Sequence, residues 1–210
     1  MHGLYAITDP DLLPDDRLVE GVTAALAGGA RAVQFRDKRP DRARRQALAA
    51  QLNTLCRDHD ALFLVNDDVE LTAAVGAHGV HLGRDDPAIA AARERLGPQA
   101  IIGVSCYNEL ERARRARDGG ADYVAFGRFF PSRTKPDAVQ AGAELLRAAR
   151  RELDLPLVAI GGITPENGGS LLAAGADMLA VIHGLFGAAD IEAAARRYAA
   201  LFAEETSRNR

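Results

Sequence analysis

Short apolar runs alternate with longer stretches of helical period along the whole chain. The runs occupy residues 4–7, 32–35, 62–65, 79–82, 101–104, 123–126, 157–160 and 178–182. Each is too short for a stable helix and rich in β-branched or aromatic residues, so eight strands are expected. Between them, apolar residues recur every three or four positions. In 18–27 these are Leu18, Val22, Ala25 and Leu26; in 42–57 they are Ala47, Leu48, Leu52 and Leu55. Segments 110–117, 141–151, 165–173 and 191–202 follow the same rule, which gives a helix one face to bury. Several of these stretches stop at Gly28-Gly29-Ala30, Gly119-Gly120-Ala121 or Gly175-Ala176. Glycine accepts the left-handed conformation that ends a helix.

Strand and helix alternating about eight times imply a parallel sheet, since each parallel neighbour needs a crossover. Two architectures follow: a closed (β/α)8 barrel or an open, doubly wound sheet. No G-x-G-x-x-G motif opens the first helix, which weighs against a dinucleotide-binding sheet. The 210 residues allow about 26 per βα unit, enough for a small barrel. The expectation is an α/β protein, a single (β/α)8 TIM barrel over residues 1–203, with a polar and frayed tail at 204–210.

Composition narrows the partners. The 26 basic residues face 29 acidic ones, for a net charge of −3, which excludes nucleic-acid binding through overall positive charge. The most apolar segment, 171–186, is broken by Asp177, His183 and glycines and is no membrane span. The N-terminus lacks a signal-peptide pattern, and Cys56 and Cys106 stand alone without a CxxC pair, so a cytoplasmic location is expected. Among the 26 bases only Lys38 and Lys135 are lysine. A coding bias toward Arg accounts for the other positions. Retention of Lys at two sites also fits a need for a compact ammonium that a planar guanidinium does not replace.

In a barrel, chemistry sits at the C-terminal ends of the strands. After the second run, Gln34, Arg36 and Lys38 fall on one side of an extended chain and Phe35 on the other. Such a trio facing the barrel mouth suits an anion. After the third and fourth runs come Asn66-Asp67-Asp68 and His81-Leu-Gly-Arg84-Asp85-Asp86-Pro87. Asp67, Asp68 and Asp86 are each candidate helix N-caps. Two carboxylates converging beside a basic trio also suit Mg2+, which takes hard oxygen ligands and completes its shell with phosphate and water. No His/Cys spacing suggests zinc. Ser105 after the fifth run has no neighbouring base, so it reads as a hydroxyl donor or a cap rather than a nucleophile. The sixth run leads into Gly127-Arg-Phe-Phe-Pro-Ser132-Arg-Thr134-Lys135, a loop at the functional face. After the seventh run, Gly161-Gly162 precede Thr164-Pro165, a cap and first helical position where bare backbone and a helix N-terminus can receive an anion. His183, after the eighth run, is a ligand contact or a packed side chain in preference to a base; His81 reads as structural. The residues alone thus give two anion sites on one mouth. An enzyme joining two phosphorylated fragments fits, and so does one rearranging a doubly phosphorylated substrate.

The motifs resemble those of the thiamine phosphate synthases. They are Tyr5-Ala-Ile-Thr-Asp9, Val33-Gln-Phe-Arg-Asp-Lys38, Leu64-Val-Asn-Asp67, Gly79-Val-His-Leu-Gly-Arg-Asp-Asp86, Gly103-Val-Ser105, Gly120-Ala-Asp-Tyr-Val-Ala-Phe-Gly127, Phe130-Pro-Ser-Arg-Thr-Lys135 and Val158-Ala-Ile-Gly-Gly-Ile163, in family order over nearly the whole chain. The resemblance implies a Mg2+-dependent transferase that joins a hydroxymethylpyrimidine diphosphate to a thiazole phosphate (or its carboxylate form), giving thiamine phosphate and pyrophosphate by a dissociative substitution. It implies that Gln34, Arg36, Lys38, Asn66, Ser105 and Lys135 hold the pyrimidine diphosphate, with Arg36, Lys38, Ser105 and Lys135 acting in catalysis. Asp67 and Asp86 would bind Mg2+, and Ser132, Thr134, Gly162, Ile182 and His183 would take the thiazole phosphate. The chain departs from the commoner pattern at Arg84, Ser132, the Gly127-Arg128-Phe129 run and Ile182-His183. Three rivals are a thiazole tautomerase of the same superfamily, a phosphosugar isomerase and a non-catalytic barrel that senses thiamine precursors. The first does not need the set Gln34, Arg36, Lys38, Asp67 and Asp86, and the second wants a clear acid/base pair.

Overall fold

Eight parallel strands close on themselves in sequence order, β1 pairing with both β2 and β8. The computed structural model describes residues 1–83, 88–131 and 140–208, with side chains through Glu205. The strands are β1 Gly3–Ile7, β2 Ala30–Phe35, β3 Leu62–Asn66, β4 Gly79–Leu82, β5 Ile101–Tyr107, β6 Tyr123–Phe126, β7 Leu157–Ile160 and β8 Met178–Val181. The helices are α1 Asp15–Ala27, α2 Arg42–Asp58, α3 Val69–Val75, α4 Ile89–Leu96, α5 Leu110–Asp118, α6 Ala143–Glu152, α7 Pro165–Leu172, α8 His183–Phe186 and α9 Ile191–Arg208. The open-sheet alternative is excluded by the β1–β8 pairing, which leaves no sheet edge. Helix α9 runs on into the segment expected as a polar tail, as far as Arg208.

Two apolar layers hold the fold together. One lies inside the barrel and includes Tyr5, Ile7, Ala32, Leu64, Tyr123, Ala125, Val158, Met178 and Ala180. The larger lies between the barrel and its helices, with Val33, Phe35, Phe63, Val65, Val124 and Phe126 from the strands meeting Leu52, Leu146 and Tyr198 from the helices. Alternation along β2 divides the layers: Ala32 and Gln34 face inward, and Val33 and Phe35 face the helices. Each large aliphatic or aromatic side chain buried this way contributes about 1.5–3 kcal/mol.

Local chemistry sets the helix ends. The Asp41 carboxylate accepts from the Arg44 backbone N–H and caps α2. Asp68 does the same for Leu71 at the start of α3. The cap at α7 runs the other way, with Asn167 Oδ1 accepting from the Thr164 N–H and Asn167 Nδ2 donating to the Gly162 carbonyl. That second bond ties the β7–α7 turn to the helix it feeds.

Candidate active site

The barrel opens at the C-terminal ends of its strands into a cavity of about 400 Å³, a size that suits a small organic ligand. Its floor is apolar, with Ile7, Ala125, Val158, Ile160 and Ala180. Polar groups enter from opposite sides.

On the β2–β5 side they are side chains. Gln34 is 2% exposed and its Nε2 donates to the Tyr5 hydroxyl at 2.7 Å. Two residues on, Arg36 lines the cavity, its N–H bonded to Thr8 Oγ1 at 2.9 Å and its guanidinium 3.8 Å from Asp9. Lys38 stands beyond the end of β2 on the exposed rim, 3.4 Å from the Asp67 carboxylate. Asn66, His81 and Ser105 complete this wall. Register explains the meeting of the last three: Asn66 pairs with His81 across β3–β4, and His81 with Gly103 across β4–β5, two residues before Ser105. A bulge between Ser105 and Tyr107 carries β5 past Val104, where the apolar run ends. Arg112 on α5 fixes this stretch by donating to the carbonyls of Ser105 at 2.7 Å and Gly83 at 2.9 Å.

The loop that presents Arg36 and Lys38 is anchored by the residue between them. Asp37 turns away from the cavity and accepts from Arg39 at 2.7–3.2 Å and from Arg44 Nη1 at 2.9 Å. Asp15 bridges the same two arginines. Burial alone would raise the Asp37 pKa, but the bonds from Arg39 and Arg44 outweigh it and hold the carboxyl well below the usual carboxylate range.

Asp67 and Asp68 divide the two roles open to them. Asp68 caps α3 and pairs with Arg45 at 3.2 Å. Asp67 takes a left-handed backbone with φ 61, is held by its N–H to the His81 carbonyl at 2.9 Å, and turns its carboxylate to the rim beside Lys38. Asp tolerates that conformation better than most residues. Among the described residues no group of three or more His, Cys, Asp or Glu is placed to hold a metal ion. A single rim carboxylate still suits a hard cation that takes one or two carboxylates and fills its shell with substrate oxygens and water.

On the β6–β8 side the wall is mostly backbone. Gly127, Gly161, Gly162, Thr164, Ile182, His183 and Gly184 line it, joined by one cationic residue, Arg128. Gly162 has φ +63, and a Cβ there would come within 2.3 Å of the Pro131 carbonyl oxygen. No other residue fits that turn without moving the 129–131 chain. His183 is exposed on the first turn of α8, and Ile182 is its N-terminal flank rather than the last residue of β8.

The structure brings Gln34, Arg36, Asn66, Ser105, Gly162, Ile182 and His183 to one cavity, with Lys38 and Asp67 on its rim. Asp86, Ser132, Thr134 and Lys135 lie outside the described residues. Sequence reasoning passed over Tyr5, Tyr123, Asp9 and the polar contacts of His81. Tyr5 and Tyr123 sit in strands buried on both faces, where alternation gives no direction. Cys56 and Cys106 are buried, which pushes both thiols up to about 12 and leaves them inert.

The closed barrel and its polar mouth define the class: a (β/α)8-barrel protein with its site in the strand-end loops. The chain belongs to the thiamine monophosphate synthase family, whose model matches residues 4–185. It is 58% identical over 202 residues to a thiamine-phosphate synthase of Chromobacterium violaceum, covering 96% of this chain and 97% of that protein. It is 54% identical over 198 residues to the one of Nitrosococcus oceani, covering 94% and 91%. The solved thiamine phosphate pyrophosphorylase of Pyrococcus furiosus superposes with a TM-score of 0.88 at 40% identity, covering 96% of both chains. No helix of the described residues is long and apolar enough to cross a membrane.

Proposed function

We propose that this chain is a transferase that condenses 4-amino-2-methyl-5-hydroxymethylpyrimidine diphosphate with 4-methyl-5-(2-phosphoethyl)thiazole to give thiamine phosphate and pyrophosphate. The observation that carries this reading is one mouth with a basic residue on each side: Arg36 among polar side chains on one wall, and Arg128 beside glycine-rich turns on the other. Two anionic fragments can then approach the same apolar floor from opposite sides. Family membership and the names of the relatives support it.

The reaction breaks the bond between the pyrimidine methylene carbon and the diphosphate oxygen, and pyrophosphate leaves with the electron pair. The thiazole nitrogen then supplies its lone pair to form the new C–N bond. Gln34, Arg36, Lys38, Asn66 and Ser105 hold the pyrimidine diphosphate. Arg36 and Lys38 face the charge that grows on the departing group, and Ser105 offers it a hydroxyl. Gly162, Ile182 and His183 receive the thiazole phosphate. Catalysis here is positioning plus stabilisation of the leaving group. No protein nucleophile is required, in keeping with two inert thiols. Asp67 would hold a divalent cation, for which Mg2+ is the hard-ligand choice; when bound it neutralises part of the diphosphate charge. The buried free thiols fit a reducing cytoplasm.

The test is direct. Incubation with both precursors and Mg2+ should yield thiamine phosphate and pyrophosphate in equal amounts. Absence of product with every divalent cation tried overturns the function. Product formed equally well in EDTA overturns the metal alone.

A further inference from the structure

The C-terminal helix α9 meets the glycine-rich wall of the cavity at one buried point. Tyr198 on this helix is 0% exposed, and its hydroxyl donates to the Ile163 carbonyl at 2.9 Å. Ile163 belongs to the turn after β7 that lines the cavity. The same hydroxyl lies against Gly184 on α8, the short helix after β8. A Cβ on Gly184 would come within 2.4 Å of the hydroxyl and 3.0 Å of the Ile163 carbonyl oxygen. Gly184 lines the cavity as well. One phenol behind the wall thus meets both of the chain segments that follow β7 and β8.

A carbonyl oxygen only accepts, so Tyr198 is the donor in this bond. Burial pushes its phenol up to about 12, which keeps the proton in place at neutral pH. Two further carbonyls of the turn are held in the same manner. Gly161 accepts from the Phe130 N–H at 3.0 Å, and Gly162 accepts from Asn167 Nδ2 at 3.0 Å. In a planar trans peptide the C=O and the following N–H point in opposite directions. Fixing the three carbonyls therefore fixes where the N–H groups of Gly162, Ile163 and Thr164 point. Of the three donors, Tyr198 is the one set against Gly184. Its helix is also tied to α7 by the Arg197–Glu166 ion pair, so the phenol sits on an element anchored to the turn it supports.

We propose that Tyr198 is a positioning residue for the second substrate: its hydroxyl sets the spacing of the segments after β7 and β8, and with it the affinity of that wall for the thiazole phosphate. This rests on the reading that the wall takes that phosphate. Tyr198 is buried behind the wall and acts through Ile163 and Gly184. An anion held by groups from two segments senses their separation, because hydrogen bonds weaken steeply as their geometry departs from line. The pyrimidine diphosphate, held on the opposite wall, does not sense it.

The experiment is steady-state kinetics on the full chain, with thermal melts as the control. Tyr198→Phe keeps the ring and removes the donor. It should raise KM for the thiazole phosphate about tenfold, with kcat and KM for the pyrimidine diphosphate within about twofold of wild type. Gly184→Ala crowds the same point from the other side and should raise the same KM about 50-fold. In the double variant the added methyl no longer meets the hydroxyl. KM should then fall back to about tenfold above wild type, below that of Gly184→Ala alone. Losses that multiply in the double variant overturn the proposal, and so does an equal rise in KM for both substrates. An unchanged KM in Tyr198→Phe, where Gly162→Ala raises it, overturns the proposal alone. If Gly162→Ala leaves that KM unchanged too, the assignment of the wall fails and the proposal falls with it. Should Tyr198→Phe melt below the assay temperature, Gly184→Ala decides: a KM for the thiazole phosphate within about twofold of wild type overturns the proposal.

Discussion

The two walls of the barrel mouth meet the same cavity with different parts of the chain. From β2 to β5 the wall is side chains: Gln34, Arg36, Asn66, His81 and Ser105, each tethered by register or by a bond to a neighbouring strand. From β6 to β8 it is mostly backbone at Gly127, Gly161, Gly162 and Gly184, with Arg128 beside it; α7 starts just after Gly161-Gly162 and α8 contains Gly184. Side-chain donors led by Arg36 can follow charge as it develops on a leaving group. A wall of backbone N–H groups recognises a fixed anion whose charge does not change during the reaction. On the proposed function, the reacting diphosphate takes the first wall and the spectator phosphate the second.

Removal of Arg36 should do the most damage. Arg36→Ala is expected to lower kcat/KM for the pyrimidine diphosphate about 1,000-fold, the scale of one lost charge-assisted contact in a transition state. Steady-state kinetics with the second substrate saturating will show it. A loss confined to the thiazole phosphate would reverse the assignment. On the opposite wall, Gly162→Ala forces a Cβ against the Pro131 carbonyl. It should raise KM for the thiazole phosphate about 100-fold while leaving KM for the pyrimidine diphosphate within about twofold, given the few kcal/mol such a displacement costs. Lys38→Arg keeps the charge but not the compact ammonium, and should cost about tenfold in kcat.

The smallest of these effects concerns stability, because Asp37 faces away from the cavity. Asp37→Asn weakens the bonds from Arg39 and Arg44 and should cost about 2 kcal/mol, a fall in Tm of about 4–8 °C. The sign of its pH dependence is set by a carboxyl held below its unfolded value. Its contribution is complete above about pH 4 and disappears as pH falls through the lowered folded pKa. Wild type and Asp37→Asn should therefore differ most in Tm near neutrality, with the difference shrinking steadily as pH falls from about 5 towards 2. A constant difference down to pH 2 would show that Asp37 acts through packing and not charge.

Most of the barrel was legible in the sequence because its strands are short apolar runs bounded by glycine, and the observed strands begin or end within a few residues of those runs. Three helices were not singled out. The seven residues of α3, eight of α4 and four of α8 span about two turns or fewer, too little for a helical period to repeat. The extension of β5 to Tyr107 escaped notice because Ser105 and Tyr107 face the cavity, and the polar residue interrupts the apolar run. Gln34 and Arg36 were legible as polar positions in alternation with buried Val33 and Phe35. Lys38 was read in the same series, but β2 ends at Phe35 and Asp37 folds back onto α2, so Lys38 reaches the rim by a turn and not by alternation. The contacts among Ser105, His81, Tyr123 and Tyr5 were illegible for a different reason. They come from four strands, and only the closed register brings Ser105 to His81, His81 to Tyr123 and Tyr123 to Tyr5.

Calorimetric titration of each ligand separately into two variants tests the division of the mouth most directly. Inorganic pyrophosphate with Mg2+ and the thiazole phosphate alone would be titrated into Arg36→Ala and Gly162→Ala, with unchanged melting temperatures as the control. A crossed result is expected: Arg36→Ala loses pyrophosphate and keeps the thiazole phosphate within about twofold of wild type, and Gly162→Ala does the reverse. If either variant, still folded, loses both ligands to the same degree, the two walls do not bind separate anions and the account fails.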